Sequence, residues 1–128
     1  MSRLLLITPH RSNFEEIVTV FENRGAAIIW AASGQEALDV IAECAVDLLL
    51  ADEDLSDMTG LSLVEQVVTV NPMINCALVS SLPEKAFHEA SEGLGILMRL
   101  PPAPQTEDGT RLMRHLNRVL GLTTPTEP

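Results

Sequence analysis

The sequence predicts a three-layer α/β fold built on a five-stranded parallel sheet. Short apolar runs alternate with segments of helical periodicity along the chain, and this alternation indicates a parallel sheet with helices on both faces. The chain has 128 residues, which fits one compact domain. We expect this domain to cover residues 1–121 and a disordered tail to cover residues 122–128.

The first half of the chain contains three predicted strands and two predicted helices. The strands cover residues 4–7, 26–31 and 47–51; the first is an unbroken apolar run, as expected for a strand buried on both faces. Ser12 with Glu15, and Ser33 with Glu36, have the spacing of capping boxes at the starts of the helices. The predicted inner faces of the two helices contain Phe14, Ile17, Val18, Phe21, Ala37, Val40, Ile41 and Cys44.

The second half continues the pattern with two strands and three helices. Gly60 opens a helix to about Val70, and the other helices are expected over 83–92 and 107–120. The remaining strands cover residues 74–79 and 96–99. The last helix is expected to turn Leu112, Leu116, Val119 and Leu120 inward. The two cysteines, Cys44 and Cys76, lie in apolar segments and are predicted to be buried free thiols.

Five β-α units connected by right-handed crossovers favour the strand order 2-1-3-4-5 of flavodoxin-like folds. In such folds the site lies at the carboxyl ends of the strands, near the switch between strands one and three. The candidate site residues selected by this rule are Thr8, Pro9, His10, Asp52, Ser80 and Leu100.

Charge and hydropathy exclude some classes of function. The formal net charge of −10 repels nucleic acid phosphates, so we expect no nucleic-acid partner. The apolar runs are too short to cross a bilayer and the N-terminus does not resemble a signal peptide, which predicts a soluble, cytoplasmic protein without membrane contact. No Gly-rich phosphate loop follows the first strand, so we expect no enzyme.

The segment DLLLADEDLSDMTG, residues 47–60, resembles the third strand and following loop of response-regulator receiver domains, the CheY-like superfamily. The family usually has an apolar strand, an aspartate, a loop with Pro-Asp-Met-Asp, and then Gly. Ser56 stands where that Pro usually lies, and Thr59 stands where Asp or Asn is usual. The order of elements resembles the family over residues 3–120. The chain is therefore identified as an atypical member of this family.

The resemblance implies a role for several residues. Asp52 matches the aspartate that accepts a phosphoryl group from a histidine kinase, and Ser80 matches the hydroxyl that contacts this group. The other matching positions are degenerate. Thr8 and Pro9 replace the acidic pair that holds Mg²⁺, Leu97 replaces a switch aromatic, and Leu100 with Pro101 replaces a Lys-Pro pair whose bond is usually cis.

These replacements predict impaired or absent phosphorylation of Asp52. Mg²⁺ needs several oxygen ligands, and only Asp52 and the Asp54 carbonyl remain as weak candidates, so Mg²⁺ is expected only if Asp52 is phosphorylatable. Removing one charged donor costs about 3 kcal/mol of transition-state stabilisation. Two alternatives remain open: a phosphorylatable regulator in which Glu53 or Asp54 supplies replacement ligands, and a flavodoxin-like cofactor-binding protein or enzyme. A transition metal on His10 and Asp52 is a further option.

The expected partners are a histidine kinase or another signalling protein. Arg111, Arg114 and Arg118 recur with helical spacing on the last helix, and we expect either a solvated face or a docking face for an acidic partner. The family resemblance implies partner contact, or a homodimer, through helix four, strand five and helix five.

Overall fold

The computed structural model describes residues 2–121 and contains five parallel strands, each followed by a helix. The strands are β1 (Arg3–Ile7), β2 (Ala27–Ala31), β3 (Leu48–Ala51), β4 (Asn75–Val79) and β5 (Met98–Leu100). The helices are α1 (Glu15–Asn23), α2 (Gly34–Glu43), α3 (Gly60–Val70), α4 (Glu84–Ala90) and α5 (Thr106–Leu120). A short 3-10 helix, Arg11–Phe14, precedes α1.

The sheet has the order β2-β1-β3-β4-β5, which confirms the predicted flavodoxin-like topology. β1 lies between β2 and β3, with Leu5 opposite both Ile29 and Leu49. β1 and β3 are therefore the central strands, and their carboxyl ends meet at the topological switch, where ligand sites of such sheets lie.

The core divides into two apolar clusters, one on each face of the sheet. Residues that alternate along a strand point to opposite faces, so Leu49 packs against the α2–α4 side and Leu50 packs against the α1 and α5 side. Phe14, Ile17 and Phe21 bring the α1 segment into the second cluster. Both faces of the central strands are thus covered, which explains the unbroken apolar runs of residues 4–7 in β1 and 48–51 in β3.

Of the two helix caps predicted from the sequence, one is confirmed and one is wrong. Ser33 accepts a hydrogen bond from the backbone N–H of Glu36 at 3.1 Å, as predicted for a capping residue. The same prediction for Ser12 is wrong, because Ser12 lies inside the 3-10 helix and α1 begins only at Glu15 without a side-chain cap.

Several other predictions need correction. Cys44 is exposed at the end of α2, whereas Cys76 is buried, and burial raises the pKa of the Cys76 thiol to about 11. Val119 is 55% exposed, so it does not belong to the inner face of α5. No peptide bond among residues 2–121 is cis, and the expectation of a cis Leu100–Pro101 bond is therefore wrong.

No helix within residues 2–121 is both long and apolar enough to span a bilayer. The predicted tail, residues 122–128, lies outside the described residues.

Candidate functional site

The carboxyl ends of β1 and β3 bring Thr8 and Asp52 together. The backbone N–H of Asp52 donates to the carbonyl of Ile7 at 2.8 Å, and that of Thr8 donates to the carbonyl of Ala31 at 3.0 Å. Both residues therefore continue the pairing of their strands by one position. Beside them lies an open cleft of about 500 Å³. Its lining residues are Pro9, His10, Asn13, Asp52, Glu53, Asp54 and Ser56.

Three neutral groups donate hydrogen bonds to the half-buried Asp52 carboxylate. Oδ2 accepts from the Thr8 hydroxyl at 2.8 Å and from the Asn13 side-chain amide at 2.9 Å. Oδ1 accepts from the backbone N–H of Glu53 at 2.9 Å. The backbone N–H of His10 donates to the Thr8 hydroxyl oxygen at 3.1 Å, which fixes the position of Thr8 in turn. The carboxylate is thus held by polar groups that carry no charge.

Asn13 is the site residue that the sequence analysis missed. It lies in the 3-10 helix after β1, and this turn directs its amide toward Asp52. Asn13 could not be recognised from the sequence, because Asn is common in turns, where its side chain bonds to nearby backbone groups. Only the fold brings Asn13 and Asp52 together, since they are far apart along the chain.

The loop after β3 is fixed by contacts to the neighbouring elements. The Asp57 carboxylate accepts from the backbone N–H groups of Gly34 at 2.9 Å and Gln35 at 3.0 Å, so it caps α2. The hydrogen bonds from Gly34 and Gln35, in this order of importance, lower the pKa of Asp57 from its usual value of 3.8. Thr59 caps α3 by accepting from the N–H of Ser62 at 3.1 Å.

Glu53 also has a defined place in this loop. Its Oε1 accepts from the backbone N–H of Ser81 at 2.8 Å and from the Ser81 hydroxyl at 2.9 Å. The Glu53 carboxylate is therefore directed at the loop between β4 and α4, while the next acid, Asp54, is exposed.

Ser80 lies at the end of β4, where the sequence places it, and is only 5% exposed. Its hydroxyl oxygen accepts from the backbone N–H of Leu82 at 3.1 Å, and its carbonyl accepts from Arg99 Nη1 at 3.2 Å. Leu100 is fully buried in the cluster on the α1 and α5 side. Arg99 and Leu100 therefore point to opposite sides of β5, as strand alternation predicts.

Of the remaining predicted site positions, Pro9 and Pro101 lie at the same edge of the sheet, whereas Leu97 precedes β5 and lies toward the opposite edge. Leu97 is half-buried immediately before β5, and Pro101 is exposed immediately after it. Pro9 is exposed in the cleft beside Asp52. None of these side chains supplies a charge to the site.

The residues around Asp52 do not fit a Mg²⁺ site. Mg²⁺ requires an octahedral shell that is rich in oxygen ligands, whereas Thr8 and Pro9 add no carboxylate and the Glu53 carboxylate is directed at Ser81. Within residues 2–121, no group of three or more His, Cys, Asp or Glu side chains is placed to hold a metal ion.

The three arginines of α5 are all exposed. Arg111 also borders a cleft of about 490 Å³ between α4, β5 and α5. The other residues of this cleft are Glu84, Phe87, His88, Ser91, Glu92, Ile96, Leu97, Met98 and Arg99. The expected docking face therefore contains a concave surface with charges of both signs.

The comparisons with known proteins agree with this architecture. The family model of the response regulator receiver domain matches residues 4–99. No curated protein matches the chain. Many solved structures do match it, at low sequence identity.

A two-component response regulator from Clostridium difficile has a TM-score of 0.81 at 19% identity, covering 94% of this chain and 98% of that chain. A CheY-like receiver domain protein from Methanospirillum hungatei has a TM-score of 0.82 at 19% identity, with 96% and 99% covered. The chemotaxis response regulator CheY4 of Vibrio cholerae has a TM-score of 0.80 at 17% identity, with 91% and 98% covered.

These structures have the same fold, and the family match extends from β1 into β5, across the strand ends that form the site. Receiver domains are signalling modules of two-component systems. The chain belongs to the response regulator receiver domain family.

Proposed function

We propose that residues 1–121 form an atypical receiver domain that acts by protein–protein contact in the cytoplasm and is not an enzyme. In this proposal Asp52 occupies the phosphoacceptor position, but its phosphorylation is impaired or absent. The observation that carries the proposal is the set of three neutral donors on the Asp52 carboxylate, from Thr8, Asn13 and the Glu53 backbone.

The charges around Asp52 support this proposal. Phosphoryl transfer requires positive charge that offsets the charge developing on the transferred group. The position of the usual strand-five lysine is taken by Leu100, which is buried in the core. Lys85, the only lysine of the chain, is exposed on α4, and Arg99 is directed at the Ser80 carbonyl.

The contacts of Glu53 argue against the rival in which loop acids supply replacement metal ligands. To turn toward a metal beside Asp52, the Glu53 carboxylate would have to give up both hydrogen bonds from Ser81. Hydrogen bonds to a charged acceptor are stronger than those between neutral groups, so this rearrangement costs free energy. Asp54, which is exposed, would be left as the single added carboxylate.

Intact-mass spectrometry after incubation with Mg²⁺ and a small phosphodonor tests the proposal. We expect no species heavier by one phosphoryl group, because Asp52 lacks both the metal ligands and the ammonium that phosphoryl transfer uses. A conventional receiver domain in the same reaction shows that the donor is active. A phosphorylated species that disappears in Asp52→Asn would contradict the proposal and favour the phosphorylatable alternative.

We further propose that Arg111, Arg114 and Arg118 contact an acidic surface of a histidine kinase, of another signalling protein or of a second copy of the domain. Their exposure on α5, beside the cleft with α4 and β5, supports this assignment. Mutation of all three arginines to Glu should abolish capture of such partners, or dissociate a homodimer in sedimentation experiments. Arg3→Glu, which changes an exposed arginine outside α5, should leave both unchanged.

A further inference from the structure

The loop between β4 and α4, residues 80–82, has an acceptor for each of its backbone N–H groups. The N–H of Ser80 donates to the carbonyl of Leu100 at 3.0 Å, and that of Leu82 donates to the Ser80 hydroxyl. The N–H of Ser81 donates to Glu53 Oε1. Glu53 is therefore the group through which the loop after β3 holds the loop after β4.

Glu53 is itself fixed through its backbone. Its N–H donates to Asp52 Oδ1 at 2.9 Å, and its carbonyl accepts from the N–H of Gly60 at 3.1 Å. Glu53 also borders a largely apolar cavity of about 240 Å³ between α3, β4 and α4. Because its backbone is fixed and its carboxylate accepts both hydrogen bonds from Ser81, Glu53 can position Ser81.

Helix α4 is the shortest of the five α-helices within residues 2–121. It has seven residues and only one of them, Phe87, is buried. A short helix with a single buried side chain gains little stability from packing. Its position is therefore sensitive to the loop that leads into it.

A further contact connects the same loop to β5. The Ser80 carbonyl accepts a hydrogen bond from Arg99, and Arg99 borders the cleft between α4, β5 and α5. A continuous series of hydrogen bonds thus runs from Asp52 through Glu53 to the loop of Ser80 and Ser81, and from there to Arg99.

We propose that Glu53 is a positioning residue that couples the Asp52 site to the α4–β5 side of the domain through its two hydrogen bonds with Ser81. The contact keeps α4 in one position without any phosphoryl group. The inference extends the proposed function, since it names the regulation of the docking face. It is tested without a phosphodonor, so its outcome is independent of whether Asp52 can be phosphorylated.

The contact is tested by the rates of backbone amide hydrogen exchange in the full chain, measured on short peptides. In Glu53→Ala we expect about tenfold faster exchange in residues 80–90, because two charge-assisted hydrogen bonds are lost at a half-exposed site. Glu53→Gln, which keeps a neutral acceptor, should lie between Glu53→Ala and the wild type. Exchange in α1 and α2 should not change. Glu65→Ala, which removes an exposed acid of α3, is the matched control and should leave residues 80–90 unchanged.

A double-mutant cycle with Ser81→Ala separates the direct contact from indirect effects. Ser81→Ala removes the hydroxyl bond but not the backbone bond, so we expect a smaller effect than that of Glu53→Ala. In the double variant, the effect of Ser81→Ala should largely disappear.

Unchanged exchange in residues 80–90 of Glu53→Ala would overturn the proposal. An equal acceleration in all elements would overturn it as well, because Glu53 would then act through global stability alone. If Glu53→Ala does not fold, Glu53→Gln and Ser81→Ala decide: faster exchange confined to residues 80–90 supports the contact, and unchanged exchange in both variants refutes it.

Discussion

At the scale of single residues, the two acids Asp52 and Asp57 are held in different ways. Asp52 accepts hydrogen bonds from two side chains and one backbone N–H. Asp57 accepts from two backbone N–H groups at the first turn of α2. The positive end of a helix dipole favours a carboxylate at this position, so Asp57 serves to connect the loop after β3 with α2.

The pKa of Asp57 predicts a pH-dependent contribution to stability. Because folding lowers this pKa below 3.8, the ionised carboxylate stabilises the folded protein above its unfolded-state pKa. This contribution is lost as the pH falls through the folded-state pKa. Asp57→Asn should therefore be less stable than the wild type near neutral pH, and the difference should shrink below pH 3.8.

Urea denaturation of both proteins at a series of pH values measures this difference. Asp54→Asn, which removes the charge of an exposed acid in the same loop, is the matched control. A stability difference for Asp57→Asn that stays constant with pH would show that the capping interaction does not depend on the charge.

At the scale of the elements, the start of α3 is set by a close approach of two backbones. A Cβ added at Gly60 would collide with the backbone carbonyl oxygen of Asp52, which cannot easily move. A Cβ added at Gly34 would instead meet the flexible end of the Met58 side chain. Glycine at position 60 therefore lets α3 begin directly beside the Asp52 backbone.

Gly60→Ala should accordingly lower the free energy of unfolding by about 1–3 kcal/mol, the usual cost of overpacking. Gly34→Ala is the matched control and should cost less, because Met58 can adopt another rotamer. Chemical denaturation measures both variants. Equal losses of unfolding free energy in the two variants would mean that the close approach of α3 to the Asp52 backbone does not require glycine at position 60.

At the scale of the whole molecule, the two apolar clusters on opposite faces of the sheet form the three layers. Leu49 and Leu50 are adjacent in β3, both fully buried, and belong to different clusters. If helices covered only one face of the sheet, one of these two leucines would be exposed.

Leu49→Ala and Leu50→Ala should each lower the free energy of unfolding by about 2–5 kcal/mol, since each leaves a cavity in a packed core. Urea denaturation gives both values, and an exposed position, Val70→Ala, is the control. A nearly neutral result at either leucine would contradict the arrangement in three layers.

The order and type of the elements follow from the local amino-acid pattern. The periodicities of strands and helices are local, so the amino-acid pattern alone is enough to place β1 to β5 and α1 to α5 along the chain. α3, over Gly60–Val70, has the predicted bounds. β5 begins two residues later than the pattern predicts, since its short apolar segment lacks a clear boundary.

The side chains that surround Asp52 are brought together by the fold as a whole. The hydrogen bonds of Asn13 with Asp52 and of Glu53 with Ser81 join residues that are far apart in the chain. They depend on the pairing of the strands and on the turn that follows each strand, which no local pattern encodes. Hydrogen bonds are directional and short in range, so they form only once the fold is in place, whereas the periodicity that predicts strands and helices can be read from the chain.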